Sequence, residues 1–519
     1  MFAGKAAAGL IIGFNLHIFL FAAAATNECV KKLYNNKRAL ILCVCNATYC
    51  DTVEPVGSLE RYEAAVYTTS RSGRRLQRRT DVFVDEEKLK EDSAGINFKS
   101  LPPDALNNLL KSYYGQDGIQ YSLGRIPIAS CDFSTHEYSY DDTPGDFELK
   151  NFKLAKEDIA FKIPFIRKAL NLTNNDLRLF ASPWSAPGWM KTNGEMRGGG
   201  SLINDPAHRY HIAWAKYYIR FLEEYAKNGI NFWGLTVQNE PSSGALPDYK
   251  WQTMFFSSET EREFVRDYLG QALKNSSVGK DIALMILDDN RYWLPVWPDH
   301  VLRDRKAANY VSGIAVHWYS NYPIFSPSRL SETHENHPDK FILSTEASFS
   351  CFFRVQIVCT ACNGNLFWEQ GPKPGSWTRA ENYAKDIIEN LENWVVGWTD
   401  WNLALDLQGG PNWVKNFVDS PILVNASGSE FYKQPMFYIM GHFSKFLRPG
   451  YVRIGIQLPN NLKGVVFASQ SQQRVLVLQN LSNFPVKNLI IQDATMISKT
   501  MTVELEPRSI TTIIWSKTR

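Results

Sequence analysis

Short apolar runs alternate with amphipathic segments along the chain from about residue 100 to residue 402. The runs predict buried strands, and the amphipathic segments predict helices packed on a sheet. Strict alternation of this kind predicts an α/β fold, a parallel (β/α)8 TIM barrel. An open doubly wound sheet is the alternative, but no glycine-rich phosphate turn follows an early strand. The seven predicted strands cover residues 119–128, 177–184, 231–240, 282–289, 313–319, 340–346 and 395–402.

One barrel strand is missing from this pattern. The first of eight strands should precede Pro103, yet residues 81–97 are charged and hold no apolar run longer than 82–84. Either the barrel is closed by an unusual element, or the chain lacks its first strand and the barrel is unclosed. An unclosed barrel would expose two sheet edges and leave neighbouring backbone groups unpaired, which predicts weakened stability and activity.

The helix after the fourth strand begins with a capping-box pattern. Ser258 is followed three residues later by Glu261, and an apolar face starts at Phe264. In such a box the two side chains bond backbone N–H groups of the first helical turn. We therefore expect Glu261 to cap this helix.

After residue 451 the apolar runs become closely spaced, without helical segments between them. They predict strands at 464–469, 474–479, 488–492, 500–504 and 509–515, which form a small accessory β-sandwich. Strand-like pieces before residue 90 are expected to complete it, so that both termini meet there. The predicted domains are a signal peptide (1–25), a disulfide-bearing N-terminal β segment (26–91), the barrel (92–445) and the C-terminal sandwich strands (446–519).

The N-terminus has the pattern of a secretory signal peptide. Lys5 precedes an apolar run over residues 6–25 that ends in small side chains. An uncleaved membrane anchor is the alternative, but Asn15 and His17 weaken a stable span. The secretory route is consistent with five Asn-X-Ser/Thr sequons, which predict glycosylation at Asn46, Asn171, Asn275, Asn425 and Asn480.

Four of the eight cysteines directly follow the signal peptide, and in a secreted chain they predict two disulfides. Cys45 and Cys50 could not pair with distant cysteines without crowding Cys43. Among the three connectivities we therefore favour Cys29–Cys43 with Cys45–Cys50. A zinc knuckle is the alternative, but no histidine lies nearby.

The charge and composition of the chain exclude few classes of binding partner. A net charge of +3 is too small to predict a nucleic-acid partner, and the dense basic run at 71–79 is interpreted as a solvated turn. The aromatic content of 13% suits surfaces that stack on sugars, but large cores use aromatic residues equally well.

Two glutamates end predicted strands that run to the same barrel mouth. Glu240, within Asn239-Glu240-Pro241, ends the fourth strand, and Glu346 ends the seventh. Such a pair suits glycoside cleavage, in which one carboxyl protonates the leaving oxygen and the other attacks the anomeric carbon. An ion-paired structural role is the alternative for either residue alone. Other strand ends carry polar or aromatic groups that suit sugar binding, among them Arg125, Asp132, Trp184, Asp288, His317, Tyr319 and Trp401.

No cofactor is predicted. His317 could ligate a metal, but no second histidine or cysteine has ligand spacing. The chain also lacks a Walker loop and a Gly-X-Ser-X-Gly elbow.

Ten stretches of the chain resemble the lysosomal acid β-glucosidases (glucosylceramidases) of glycoside hydrolase family 30. They include Cys-Val-Cys-Asn-Ala-Thr-Tyr-Cys at 43–50, Ala-Ser-Pro-Trp at 181–184, Asn-Glu-Pro at 239–241, Gly-Ile-Ala-Val-His-Trp-Tyr at 313–319 and Val-Val-Gly-Trp-Thr-Asp-Trp-Asn at 395–402. The resemblance implies that Glu240 is the acid/base and Glu346 the nucleophile, with retention of configuration. It also implies that Asn239 binds the sugar 2-hydroxyl and that Tyr319 lies near the nucleophile, with Arg125 behind it. The glucose pocket would be lined by Trp184, Trp401 and Asn416.

The resemblance further implies a substrate, partners and a compartment. The substrate would be glucosylceramide, cleaved in the acidic lysosomal lumen at an anionic lipid surface with a saposin-type activator. A membrane trafficking receptor would deliver the protein. A lipid-facing rim is expected on the loop after the fourth strand, at Tyr249, Trp251, Phe255 and Phe256, with buried packing as the alternative for each residue.

The chain departs from the family pattern at two places. The first barrel strand, a Gly-Phe-Gly-Gly-type run leading to a sugar-binding aspartate, is absent, although Asp92 matches that aspartate. Residues 348–361 form an extra apolar segment after the predicted nucleophile. Two other functions therefore compete with glucosylceramide hydrolysis. One is a catalytically weakened glycolipid-binding paralogue, and the other is a β-glycosidase for another glycoside, such as a steryl glucoside or xylosylceramide.

Overall fold

A computed structural model describes residues 27–34, 40–57, 63–81, 89–90, 95–319, 325–346, 371–496 and 499–516. The predicted signal peptide, Asp92 and the 348–361 segment lie outside the described residues. No helix within the described ranges is long and apolar enough to cross a membrane.

The strands occur both in the barrel region and at the two ends of the chain. In chain order they are β1 (Lys31–Leu33), β2 (Ile41–Cys45), β3 (Ala64–Ser70), β4 (Gln77–Asp81), β5 (Leu89–Lys90), β6 (Gln120–Tyr121), β7 (Leu123–Ile128), β8 (Arg178–Pro183), β9 (Gly234–Thr236), β10 (Ala283–Asn290), β11 (Val311–His317), β12 (Phe341–Glu346), β13 (Val395–Trp398), β14 (Ala404–Asp406), β15 (Ile422–Asn425), β16 (Glu430–Lys433), β17 (Val452–Ile454), β18 (Leu462–Ala468), β19 (Gln473–Asn480), β20 (Val486–Ile491), β21 (Met501–Leu505) and β22 (Ser509–Ser516).

The α-helices lie mainly between the barrel strands. They are α1 (Gly95–Lys99), α2 (Pro103–Tyr114), α3 (Ile163–Leu172), α4 (Arg209–Lys227), α5 (Ser258–Phe264), α6 (Gly270–Asn275), α7 (Val296–Leu302), α8 (Arg305–Ala308), α9 (Ser328–Asn336), α10 (Trp377–Glu392) and α11 (Pro435–Ser444). Single π-helical turns precede α3 and join α5 to α6, at Asp158–Lys162 and Val265–Leu269.

The predicted barrel strands form one seven-stranded parallel sheet, ordered β7 to β13 as in the sequence. Each strand pairs with the next in parallel, with helices in the connections, which confirms the predicted (β/α) architecture. The fourth strand is shorter than predicted. Its ladder ends at Thr236, because the backbone beyond it turns toward the barrel mouth to carry Glu240.

The seven-stranded sheet has no first barrel strand among the described residues, as predicted, and the two-residue strand β5 lies in a separate sheet. β5 pairs in parallel with β6. Because β6 immediately precedes β7, β5 lies beside the second strand of the predicted barrel. No ladder joins β7 to β13 in the part of the chain that the structure describes. A cavity of about 130 Å³ borders this seam, between Arg125 of β7 and the Trp401–Asn402 segment after β13.

The terminal strands form the predicted sandwich. Its larger sheet is antiparallel, with the order β17-β18-β19-β22-β3-β4, so N-terminal strands complete it as expected. The β20–β21 hairpin covers this sheet, and the two layers share an apolar core that includes Leu476, Ile513 and Trp515 from the sheet with Met501 and Val503 from the hairpin.

A further sheet, in the order β1-β2-β16-β15-β14, was not predicted. It joins the cysteine-bearing segment to the chain beyond the barrel, through the antiparallel pair of β2 and β16. The structure contains the two favoured disulfides, Cys29–Cys43 and Cys45–Cys50.

The predicted capping box was wrong by one residue. Ser257 is the N-cap of α5, and its hydroxyl accepts the N–H of Thr260, whose side chain accepts the N–H of Ser257. Glu261 instead points into the protein and is fully buried. Local spacing could not separate these alternatives, because Ser257 and Ser258 are adjacent and both can cap.

The five predicted glycosylation sites differ in exposure. Asn171 and Asn275 are exposed, and Asn46 and Asn425 are half-buried. Asn480 is only 1% exposed, and its amide donates to the carbonyl oxygens of Phe484 at 3.0 Å and Glu506 at 2.7 Å. A glycan on this amide would break two buried hydrogen bonds, so the folded structure disfavours modification of Asn480.

We therefore expect glycopeptide mass spectrometry of the folded, secreted protein to find Asn480 unmodified. The exposed Asn171 and Asn275 serve as internal positive controls. A glycan on Asn480 in the folded fraction would contradict the packing described above.

Candidate active site

Glu240 and Glu346 lie at the C-terminal ends of barrel strands that open to the same mouth. Glu346 is the last residue of β12. Glu240 follows β9, adopts a left-handed φ of 41°, and is followed by the 3-10 turn Pro241–Ala245. Proline suits this turn, because it has no backbone N–H to satisfy. Both glutamates are buried, at 9% and 6% exposure.

Two cationic side chains contact the glutamates inside the barrel. Arg125, on β7, forms an ion pair with Glu346 and donates to Asp288 Oδ2 at 2.6 Å and to Asn239 Oδ1 at 2.9 Å. His317, on β11, has Nδ1 3.2 Å from Glu240 Oε1 and Nε2 3.0 Å from Asp288 Oδ1. Because carboxylates only accept hydrogen bonds when ionised, these contacts suit an imidazolium that donates from both nitrogens.

The electrostatics of the cluster follow from these contacts. Burial alone would lower the pKa of His317, but Glu346, Asp288 and Glu240 raise it to about 10. Burial would raise the pKa of Asp288, yet Arg125 and His317 hold it well below its usual range. Burial raises the pKa of Glu346, while His317 and Arg125 oppose the rise. The site therefore contains two buried cations at physiological pH.

One oxygen or nitrogen from each of Glu240, His317 and Glu346 lies within 4.8 Å of the other two. This spacing would allow a metal ion to bind. A protonated imidazole has no lone pair for a metal, however, so the charge state of His317 does not fit such a site.

Aromatic and polar side chains form a pocket beside the glutamates. Trp184 stacks on Trp401 with ring centroids 5.2 Å apart, and the Arg125 guanidinium lies 4.9 Å from the Trp184 ring centroid. Asp132 is buried and accepts hydrogen bonds from Asn416 at 3.0 Å and from Asn412 at 3.1 Å. Such a combination of ring faces and polar groups can bind the apolar face and the hydroxyls of a sugar.

Two tyrosines contact the glutamates directly. The Tyr319 hydroxyl donates to Glu346 Oε1 at 2.8 Å, and the Tyr249 hydroxyl donates to Glu240 Oε2 at 3.3 Å. Tyr249 was expected on a lipid-facing rim, but it is directed toward the acid/base candidate. Phe256 of the same expected rim is buried, because it packs in the core against Phe264.

The structure brings together every predicted site residue that lies in its described ranges, namely Glu240, Glu346, Asn239, Arg125, Tyr319, Trp184, Trp401 and Asn416. The sequence placed Asp132, Asp288 and His317 near the mouth without assigning them catalytic roles, and it did not connect Tyr249 with the glutamates. Their position at or just beyond strand ends was the only signal. The sequence does not show which of these groups contact each other, because that depends on which side chains of each strand face the inside of the barrel.

A family model for the glycosyl hydrolase family 30 TIM-barrel domain matches residues 88–447. The chain belongs to glycoside hydrolase family 30. As a member of this family it is a glycoside hydrolase, and residues 88–447 carry both glutamates of the site.

Relatives of this family match nearly the whole chain. A Caenorhabditis elegans protein with the provisional name glucosylceramidase 4 is 45% identical over 510 residues, covering 94% of each chain. The lysosomal acid glucosylceramidase of Mus musculus is 41% identical over 505 residues, covering 92% of this chain and 94% of its own. Among solved structures, SrfJ from Salmonella typhimurium is 27% identical with a TM-score of 0.77, covering 88% of this chain and 100% of its own.

The buried acids of the site predict that the family 30 barrel is most stable under acidic conditions. Burial raises the pKa of Asp132 from 3.8 to about 7, and His317 has a pKa raised from 6.5 to about 10. Each group keeps its proton in the folded protein over a pH range in which the unfolded chain releases it. The free energy of unfolding should therefore fall as pH rises, by up to about 1.4 kcal/mol per pH unit and group.

Urea unfolding at about pH 5 and about pH 8 measures this dependence. Asp132→Asn serves as the matched variant and should flatten the slope below pH 7, where Asp132 acts. Asp288 has the opposite effect on the pH dependence. Because its pKa is lowered in the folded protein, it reduces the free energy of unfolding as pH falls, and only below about pH 4. Equal stability at the two pH values would contradict the proposed charge states.

Proposed function

We propose that the chain is a retaining β-glucosidase that hydrolyses glucosylceramide to glucose and ceramide through a covalent glucosyl-enzyme intermediate. The observation that carries the proposal is the distance between carboxylate oxygens of Glu240 and Glu346, which is within 4.8 Å. Retaining glycosidases hold their two carboxyl groups about 5–5.5 Å apart, and inverting enzymes hold them about 6.5–9.5 Å apart to admit a water.

In the first step Glu346 attacks the anomeric carbon and Glu240 protonates the departing glycosidic oxygen. The C–O bond to ceramide breaks as the ester bond to Glu346 forms. Arg125 and Tyr319 fix the orientation of the attacking carboxylate, because both donate hydrogen bonds to it. The leaving ceramide carries away the proton that Glu240 gave.

In the second step Glu240 removes a proton from water, which attacks the anomeric carbon and releases Glu346. Two inversions at the same carbon give retention of configuration. The two cations, Arg125 and His317, offset the charges of Asp288 and Glu346.

Glucose recognition is assigned to the pocket beside the glutamates. The stacked Trp184 and Trp401 form its apolar wall, and Asn239 accepts from Arg125, which leaves its amide N–H groups for the sugar 2-hydroxyl. Asn416 and Asp132 supply further polar groups for the other hydroxyls.

The proposed substrate and setting rest on the relatives. Two of them are named glucosylceramidases, and the mouse protein's name places it in the lysosome. We extend to this chain an acidic lysosomal lumen, an anionic lipid surface, a saposin-type activator and a membrane trafficking receptor. The predicted gain in stability at acidic pH is consistent with this compartment.

A catalytically weakened glycolipid-binding protein is the second candidate. Its support is the seam of the barrel, where a two-residue strand and a cavity lie beside Arg125 and Trp401. A looser Arg125 would orient Glu346 less well without removing the sugar-binding side chains.

Azide rescue separates the roles of the two glutamates. With an activated aryl β-glucoside, Glu240→Ala should lower turnover by roughly 10²–10⁴-fold, because general acid/base assistance is lost. Azide should restore turnover and yield β-glucosyl azide. Glu346→Ala should be inactive until azide replaces the carboxylate, and it should yield α-glucosyl azide. The exposed Glu259→Gln is the control and should behave as wild type.

A mechanism-based cyclitol epoxide separates the enzyme from the binding protein. The wild-type chain should be labelled on Glu346, and Glu346→Gln should not be labelled. Hydrolysis of glucosylceramide, steryl glucoside and xylosylceramide at acidic pH then defines the aglycone. Binding of glucosylceramide vesicles without labelling or turnover would support the second candidate instead.

A further inference from the structure

Asp288 contacts both cations of the site, Arg125 and His317. Its carboxylate accepts hydrogen bonds from Arg125, His317, Thr236 and Thr345, at distances of 2.6 to 3.0 Å. Its backbone carbonyl oxygen accepts the N–H of Glu240 at 2.9 Å. The position of Asp288 therefore affects both glutamates, although it is not one of them.

Asp288 reaches this position through an irregularity in β10. The ladder with β11 pairs Leu287 with Ala315 and Asp289 with Val316, so Asp288 is an extra residue in the strand. Leu287 and Asp288 both have left-handed φ values, 74° and 51°. Such backbone is unfavourable for residues other than glycine and persists only where the surroundings hold it.

Glu261, from α5, holds this bulge from the outside of the barrel. Its carboxylate oxygens Oε1 and Oε2 accept the backbone N–H of Leu287 at 3.2 and 3.4 Å, and Oε2 also accepts Trp297 Nε1 at 2.6 Å. The side chain is fully buried, and burial raises its pKa to about 7. A buried carboxyl group is costly, so its presence is explained better by a specific contact than by packing.

We propose that Glu261 is a positioning residue of the glycosidase site. It fixes the left-handed bulge at Leu287–Asp288, and the bulge directs Asp288 toward Arg125 and His317, which orient Glu346 and Glu240. Glu261 touches neither glutamate and no sugar-binding side chain in the described structure. Its effect should therefore fall on the rate of the chemical step rather than on sugar binding.

Two substitutions separate the hydrogen bonds of Glu261 from its bulk. Glu261→Met keeps an unbranched chain but accepts no N–H. Glu261→Gln keeps an acceptor at the Oε2 position for Trp297 and, at 3.4 Å, for Leu287, but its NH2 group replaces the Oε1 acceptor 3.2 Å from the Leu287 N–H. Glu259→Gln, two residues away on the exposed side of the same helix, is the matched control.

With an aryl β-glucoside, Glu261→Met should lower kcat at least about tenfold and leave KM within about twofold. Glu261→Gln, which keeps part of the contact, should lose less kcat than Glu261→Met, and Glu259→Gln should stay within about twofold of wild type in both constants. A purely structural role would lower the amount of folded protein without changing kcat per active site. Active sites are counted by covalent labelling of Glu346 with the cyclitol epoxide.

The inference uses the proposed roles of Glu240 and Glu346, and the labelling experiment distinguishes the two failures. If the wild-type chain is not labelled, the proposed function fails. If the wild type is labelled and Glu261→Met has wild-type kcat per labelled site, the positioning role is overturned. A loss in Glu261→Gln as large as in Glu261→Met also overturns it. If Glu261→Met does not fold, Glu261→Asp, which withdraws the carboxylate by one methylene, should show the same loss of kcat at unchanged KM, and wild-type kcat would refute the role.

Discussion

Two buried positive charges, on Arg125 and His317, hold the carboxyl groups of the barrel mouth together. Without them, Glu346 and Asp288 could not both lie in this cluster as carboxylates, because like charges in a water-poor site repel strongly. The cations also donate hydrogen bonds in fixed directions. The same contacts therefore balance the charge of the site and set the orientation of both glutamates.

The backbone around this cluster departs from regular strand geometry where the site needs it. Glu240 is left-handed after β9, and Leu287 and Asp288 are left-handed within β10. Regular strands would alternate their side chains and could not bring Asp288 both to the cations and to the N–H of Glu240. The conformations are held by partners on other elements, as Glu261 of α5 holds the bulge in β10.

The barrel supports the site through its ladder of parallel strands, but the seam of the barrel lies beside the same site. The strands β7 to β12 that carry Arg125, Glu240, His317 and Glu346 form one continuous parallel ladder, so the catalytic geometry is supported from within. The seam between β7 and β13 borders the same Arg125 and the glucose-pocket Trp401. Any loosening there acts first on the sugar wall and on the cation that orients Glu346.

The sequence by itself determined the seven barrel strands, the sandwich and the strand ends that carry Glu240 and Glu346. These features follow from burial periodicity and from residues such as Pro241, whose effects act on the neighbouring backbone. Only the tertiary structure decided that Asp288 and His317 join the two glutamates, that Glu261 is buried against Leu287, that Asn480 is enclosed, and that β2 pairs with β16. The reason is that each of these depends on which distant strand supplies a partner and on the register of that pairing. A local pattern shows that a side chain is buried, but it does not show which side chain it meets.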